Sequence, residues 1–89
     1  MPYIPFEMRL PFQDIIEAIE LHIIKHGINN GEFNYLISTI AKLYIDKHGM
    51  TYNTGSDVIK TFECAKLEFY RRMLVPYENT KIEQNGDCY

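Results

Sequence analysis

Apolar positions recur along the chain in three stretches, each with the spacing of a helix face. Phe12, Ile15, Ile16, Ile19 and Ile23 fall at i, i+3, i+4, i+7 intervals, which predicts a first helix from about Pro11 to His26. Pro11 suits a first turn, and Gly27 suits the position just past a helix end. After the turn Ile28-Asn29-Asn30-Gly31, a second stretch carries Phe33, Leu36, Ile37, Ile40, Leu43 and Tyr44, with Ala41 and Ile45 widening the arc. It predicts a helix that Asn30 caps, that runs to about Lys47 and that Gly49 ends. The third stretch, Ser56 to Val75, has Val58, Phe62, Ala65, Phe69 and Met73 on its main face. Thr54 or Ser56 is its expected cap, with Thr54-Gly55-Ser56-Asp57 in capping-box register, and Pro76 its expected stop.

The flanks differ from the helices. Pro2 and Pro5 disfavour helix at Met1 and Ile4, so residues 1–10 read as an extended arm. Tyr3, Ile4, Phe6, Met8 and Leu10 make that arm too apolar to stay free. Residues 76–89 read as a polar tail with Tyr77, Ile82 and Tyr89 as spaced anchors and a turn at Asn85-Gly86-Asp87. The expected architecture is therefore a single all-α domain, a three-helix bundle over 11–75 with an extended N-terminal arm and a C-terminal tail. The second and third helices carry wider apolar arcs than a surface helix needs, about 200° for the second against about 100°. So small a chain also buries only about 60–65% of its unfolded surface. Both points lead to the expectation of a homo-oligomer.

Composition narrows the function. A net charge of −3 lacks the basic footprint of general nucleic-acid binding. No apolar run approaches the roughly 20 residues of a membrane span, and the N-terminus has no signal-peptide core, so a cytoplasmic protein is expected. Cys64 and Cys88 are too few for a disulfide scaffold. Seven tyrosines and no tryptophan favour surfaces that combine contact area with a hydrogen bond.

The richest constellation lies on the third helix. Lys66 falls within its apolar arc beside Phe62 and Met73, with Glu63 and Tyr70 at i−3 and i+4 on its flank. Such a lysine either snorkels and pairs with Glu63, or holds a ligand anion while Tyr70 stacks on a base or sugar. Arg71 and Arg72 project from the opposite face. Arg72 is expected either to pair with Glu68 at i,i+4 or Asp46, or to meet a phosphate across a subunit boundary. Asn34 and Tyr35, in the first turn of the second helix, could meet the same ligand beside free backbone N–H groups, or serve in capping and packing. His22 and His26 have i,i+4 spacing without the glutamate of His-Glu-x-x-His, so no metal site is assigned. Glu17 and Glu20 form one Glu-x-x-Glu pair where helical nucleotide hydrolases carry two. No phosphate-cradling glycine loop or nucleophile–base spacing is present, so no enzyme and no cofactor is expected.

The strings Met1-Pro2-Tyr3-Ile4, Gly31-Glu32-Phe33-Asn34-Tyr35, Glu63-Cys64-Ala65-Lys66-Leu67-Glu68-Phe69-Tyr70-Arg71-Arg72, Pro76-Tyr77-Glu78 and Asn85-Gly86-Asp87-Cys88-Tyr89 together resemble an uncharacterised family of short bacterial and phage proteins. The resemblance covers nearly the whole chain and assigns no catalytic or binding residue. It implies a phage or mobile-element setting. Two functions are expected on that basis. One is a counter-defence sponge that sequesters a nucleotide signal at a subunit interface through Lys66, Tyr70, Arg72 and Asn34 or Tyr35. The other is a protein-interaction module that inhibits or adapts a host or phage protein.

Overall fold

Capping chemistry sets where two of the helices begin in the computed structural model, which covers residues 1–89. Element α1 is Phe6–Arg9, followed by a 3-10 turn at Leu10–Phe12 and by α2, Gln13–His26. Next come α3, Asn30–His48, and α4, Tyr52–Phe69. A π-helical segment at Tyr70–Leu74 joins α4 to α5, Val75–Asn85. The chain is all-α and forms three helical rods without a strand.

Two capping boxes replace the expected caps. Asn29, not Asn30, caps α3: its Oδ1 accepts from the Glu32 N–H at 2.8 Å, and Glu32 Oε1 accepts from the Asn29 N–H at 2.9 Å. Thr51, not Thr54 or Ser56, caps α4: Thr51 Oγ1 accepts from the Thr54 N–H at 3.1 Å and Thr54 Oγ1 accepts from the Thr51 N–H at 2.9 Å. In both, the residue at the third helical position returns a hydrogen bond to the cap, so two otherwise unpaired donors are satisfied together. Thr54 also donates to the Gly49 carbonyl at 2.7 Å, which draws the α3–α4 turn tight. Gly49 itself sits at φ 82°, a conformation that a side chain resists.

The flanks are more helical than expected. Pro5 stands at the N-cap and the chain turns helical directly after it, so the arm is extended only before Phe6. Pro11 then lies inside a 3-10 turn, where its missing N–H removes no bond that the helix needs. Pro76 does not end the third rod. An α-helix through Pro76 would set its ring against the Arg72 carbonyl four residues back. The π-helical turn, in which the Val75 N–H bonds to the Tyr70 carbonyl, widens the rod just there and lets helix continue to Asn85. The expected polar tail is therefore mostly α5. At about 1.5 Å per residue the rod from Tyr52 to Asn85 is roughly 50 Å long, and it accounts for the long dimension of 49 Å.

Packing between the rods is sparse. α3 and α4 lie against one another near their shared turn, whereas α2 has no comparable interface with either. A Cα radius of gyration of 16.8 Å exceeds the roughly 12 Å of a compact chain this long. No residue is fully buried. Ile15, Ile16, Ile40, Ile59, Phe69 and Met73 each keep 57–65% of their surface in contact with solvent. The accessible area is 8152 Å², against about 5,400 Å² for a compact monomer of 10.5 kDa.

Candidate interaction site

The N-terminal arm meets the third rod at one carboxylate. Glu68, on the last turn of α4, accepts from the Tyr3 hydroxyl at 2.5 Å through Oε2. The same carboxylate takes both short contacts from Arg71 Nη2, at 2.9 and 3.1 Å. The pair Glu68–Arg71 is spaced i,i+3, in place of the expected i,i+4 pair of Glu68 with Arg72. Its carboxylate is 27% exposed, while Arg71 is 62% exposed.

The electrostatics follow from that geometry. The hydroxyl of Tyr3, then the guanidinium of Arg71, hold the Glu68 carboxyl below the ordinary carboxylate value. The bond to Glu68 pushes the Tyr3 phenol up, because its proton is needed for that bond. The Arg71 guanidinium is raised by the same carboxylate.

A second polar contact stands at the α3–α4 junction. Tyr44 donates to Asp57 Oδ2 at 3.3 Å beside a cavity of about 120 Å³ lined by Ile40, Val58 and Phe62. Desolvation raises the Tyr44 phenol, followed by the nearby Asp57 charge. His48 stacks on Tyr44 with ring centroids 4.3 Å apart.

The residues singled out from the sequence fall into two separate groups. Lys66 Nζ lies 3.3 Å from Glu63 Oε1, a pairing expected for it, and its side chain is 69% exposed. Tyr70 opens the π-helical segment and is 48% exposed. Arg72 follows two residues later and has no hydrogen-bond or ion-pair partner within the chain, neither Glu68 nor Asp46. Asn34 accepts from Ser38 Oγ at 3.2 Å along α3. Tyr35 borders a cleft of about 360 Å³ between α2 and α3, with Ile19, His22, Glu32 and Leu36. No hydrogen bond or ion pair links Asn34 or Tyr35 to Lys66, Tyr70 or Arg72. Tyr35 faces α2 across that cleft, whereas the trio belongs to the α4–π segment.

His22 and His26 stack at 4.9 Å, tilted by 45°. No group of three or more histidine, cysteine, aspartate or glutamate side chains is assembled to hold a metal ion. Both cysteines are free and exposed. No helix is long and apolar enough to cross a membrane.

The Tyr3–Glu68 contact escaped the sequence reading. Glu68 and Arg71 are recognisable as a helical i,i+3 pair, and Tyr3 as a residue in search of a surface. Nothing local joins positions 65 residues apart.

Two comparisons, with curated proteins and with solved structures, give no match. A family model described as a domain of unknown function, DUF6899, matches residues 1–88. The chain thus belongs, over nearly its whole length, to the DUF6899 family.

Proposed function

We propose that the protein is a non-enzymatic helical interaction module whose core is completed only when it associates with a second copy. The observation that carries this is the accessible surface of 8152 Å² on a chain with no fully buried residue. The excess over a compact monomer is roughly 2,700 Å². A stable dimer needs only about 800 Å² from each partner. A chain with so little of its apolar surface covered gains little hydrophobic free energy on folding alone to offset the loss of chain entropy.

Sedimentation velocity across a hundredfold range of concentration tests this reading. A dimer or larger species at micromolar concentration is the expected outcome. A monomer at every concentration, with a cooperative thermal transition, ends it.

A second reading places a small anion at the seam between subunits, in keeping with a sponge for a nucleotide signal. It is favoured by Arg72, a guanidinium without an intrachain partner, on the same rod as Lys66 and, one turn on from that lysine, the half-exposed ring of Tyr70. Guanidinium suits bidentate phosphate contact, and tyrosine suits stacking. Asn34 and Tyr35 enter such a site only if a neighbouring subunit brings them to it. Titration calorimetry against cyclic and linear nucleotides is the test. Micromolar binding that Arg72→Ala abolishes supports it, and silence across the panel rejects it. In the absence of a nucleotide ligand, the same surface serves a host or phage protein, the adaptor role.

A further inference from the structure

We propose that α2 of one protomer packs on the α4–π rod of a second copy, reciprocally about a two-fold axis. The proposal rests on the self-association reading above and specifies which faces meet.

The two faces are similar in length, and the α2 face is the wider of the two. On α2, Ile15, Ile16, Ile19 and Ile23 lie within about 100° on a wheel of 100° per residue. On α4, Val58, Phe62 and Phe69 lie within about 40° of one another by the same construction. The α2 helix has 14 residues and is about 21 Å long. The stretch from Phe62 to Met73 is about 17 Å.

Each face is covered by α3 along only part of its length. α3 covers α4 at the level of Asp57, Val58, Thr61 and Phe62. Two turns further along the same rod, Phe69 and Met73 remain 63% and 61% exposed. On α2, Ile15 and Ile16 are 57% and 58% exposed, and Phe12 just before it is 51% exposed. A closed three-helix bundle would have laid α2 over Phe69 and Met73, yet α2 stands off from α4.

Charge favours the same pairing. α2 carries Asp14, Glu17 and Glu20 against one lysine, Lys25, whereas the π-helical segment carries Arg71 and Arg72 with no acid. Glu20 sits beside the apolar stripe of α2, and Arg72 and Lys66 sit on either side of the stripe of α4. Two copies related by a two-fold axis present this α2-to-α4 contact twice. The arrangement also gives Arg72 a carboxylate across the seam, which its own chain does not offer.

Site-directed crosslinking decides the matter. In a parent with Cys64→Ser and Cys88→Ser, one chain carries Ile16→Cys and an isotope-labelled chain carries Phe69→Cys. The two are mixed and treated with a short bismaleimide. The expected result is a labelled–unlabelled crosslink at least fivefold above that of a control pairing Ile16→Cys with Gln84→Cys. Crosslinking no better than the control, while sedimentation still reports dimers, overturns the α2-to-α4 pairing and leaves self-association standing. A crosslink confined to monomers of a chain carrying both substitutions overturns it too, since α2 would then close on its own rod. Sedimentation as a monomer at all concentrations removes the self-association reading itself. As a second variant, Ile16→Glu is expected to weaken the dimer by tenfold or more with helicity unchanged, and an unaltered dimer counts against the proposal.

Discussion

The hydroxyl of Tyr3 donates to the carboxylate of Glu68 at 2.5 Å, the sole side-chain hydrogen bond between the N-terminal arm and the third rod. Arg71 Nη2 donates to both oxygens of that carboxylate. The contact ties the arm to the last turn of α4. Tyr3→Phe is expected to free residues 1–5 without unfolding α2 to α4. Amide exchange in the arm, Ile4 above all, should quicken several-fold, while the amides of α3 keep their protection. Unchanged exchange at Ile4 would show that the arm is held by its apolar side chains.

The same contact sets a pH window. Glu68 has a depressed pKa in the folded chain, so its contribution is present above the ordinary carboxylate value of 4.5 and is lost as pH falls through the lower, folded value. Tyr3 has a raised pKa, so its contribution is present below the ordinary phenol value of 10.0 and is lost as pH rises through the higher, folded value. The arm is thus expected to stay docked from about pH 5 to pH 10 and to loosen outside that range. Arm exchange corrected for intrinsic rate, or a fluorophore at Met1, reports it. Glu68→Gln should flatten the acid limb, and an acid limb that persists in that variant would assign it to another carboxylate.

Removing the Asn29 cap should destabilise the chain by about 1 kcal/mol, as Asn29→Ala leaves the Glu32 N–H unpaired. The loss should appear as a lower denaturation midpoint with an unchanged denaturant slope. Gly49→Ala is expected to cost about 1 kcal/mol or more, because φ is 82° there. Thr54→Val should act at the same turn, through loss of the bond from Thr54 Oγ1 to the Gly49 carbonyl.

If association completes the core, thermal stability depends on concentration. For a dimer of this chain length the midpoint should climb roughly 4 °C for each tenfold rise in concentration. Differential scanning calorimetry at three concentrations measures it. A flat midpoint would argue that the single chain is the folding unit.

The helical rods and their stops were largely legible from residue order. The 3.6-residue spacing of Ile15, Ile16, Ile19 and Ile23, and Gly27 and Gly49 after the last turns, report backbone preferences that act within one or two turns. The same locality explains the misplaced caps. Asn29 with Glu32 and Thr51 with Thr54 are box-spaced pairs, but each lies one box-length or less from a rival candidate, and the reciprocal bonds select between them. Pro76 was misread for a physical reason: a proline forbids an α-turn, not a widened one, and the π-helical turn at Tyr70–Leu74 removes the clash.

Residue order thus determined that this chain is helical, where its rods turn, and that its second and third helices carry broad apolar faces. Tertiary structure decided that α5 continues α4, that Tyr3 reaches Glu68, that Arg71 and not Arg72 takes that carboxylate, and that α2 stands away from α4. Helical pattern and caps are set by neighbours a turn apart. Contacts across 65 residues depend on the directions in which stiff rods leave their turns, and those directions are a property of the folded chain.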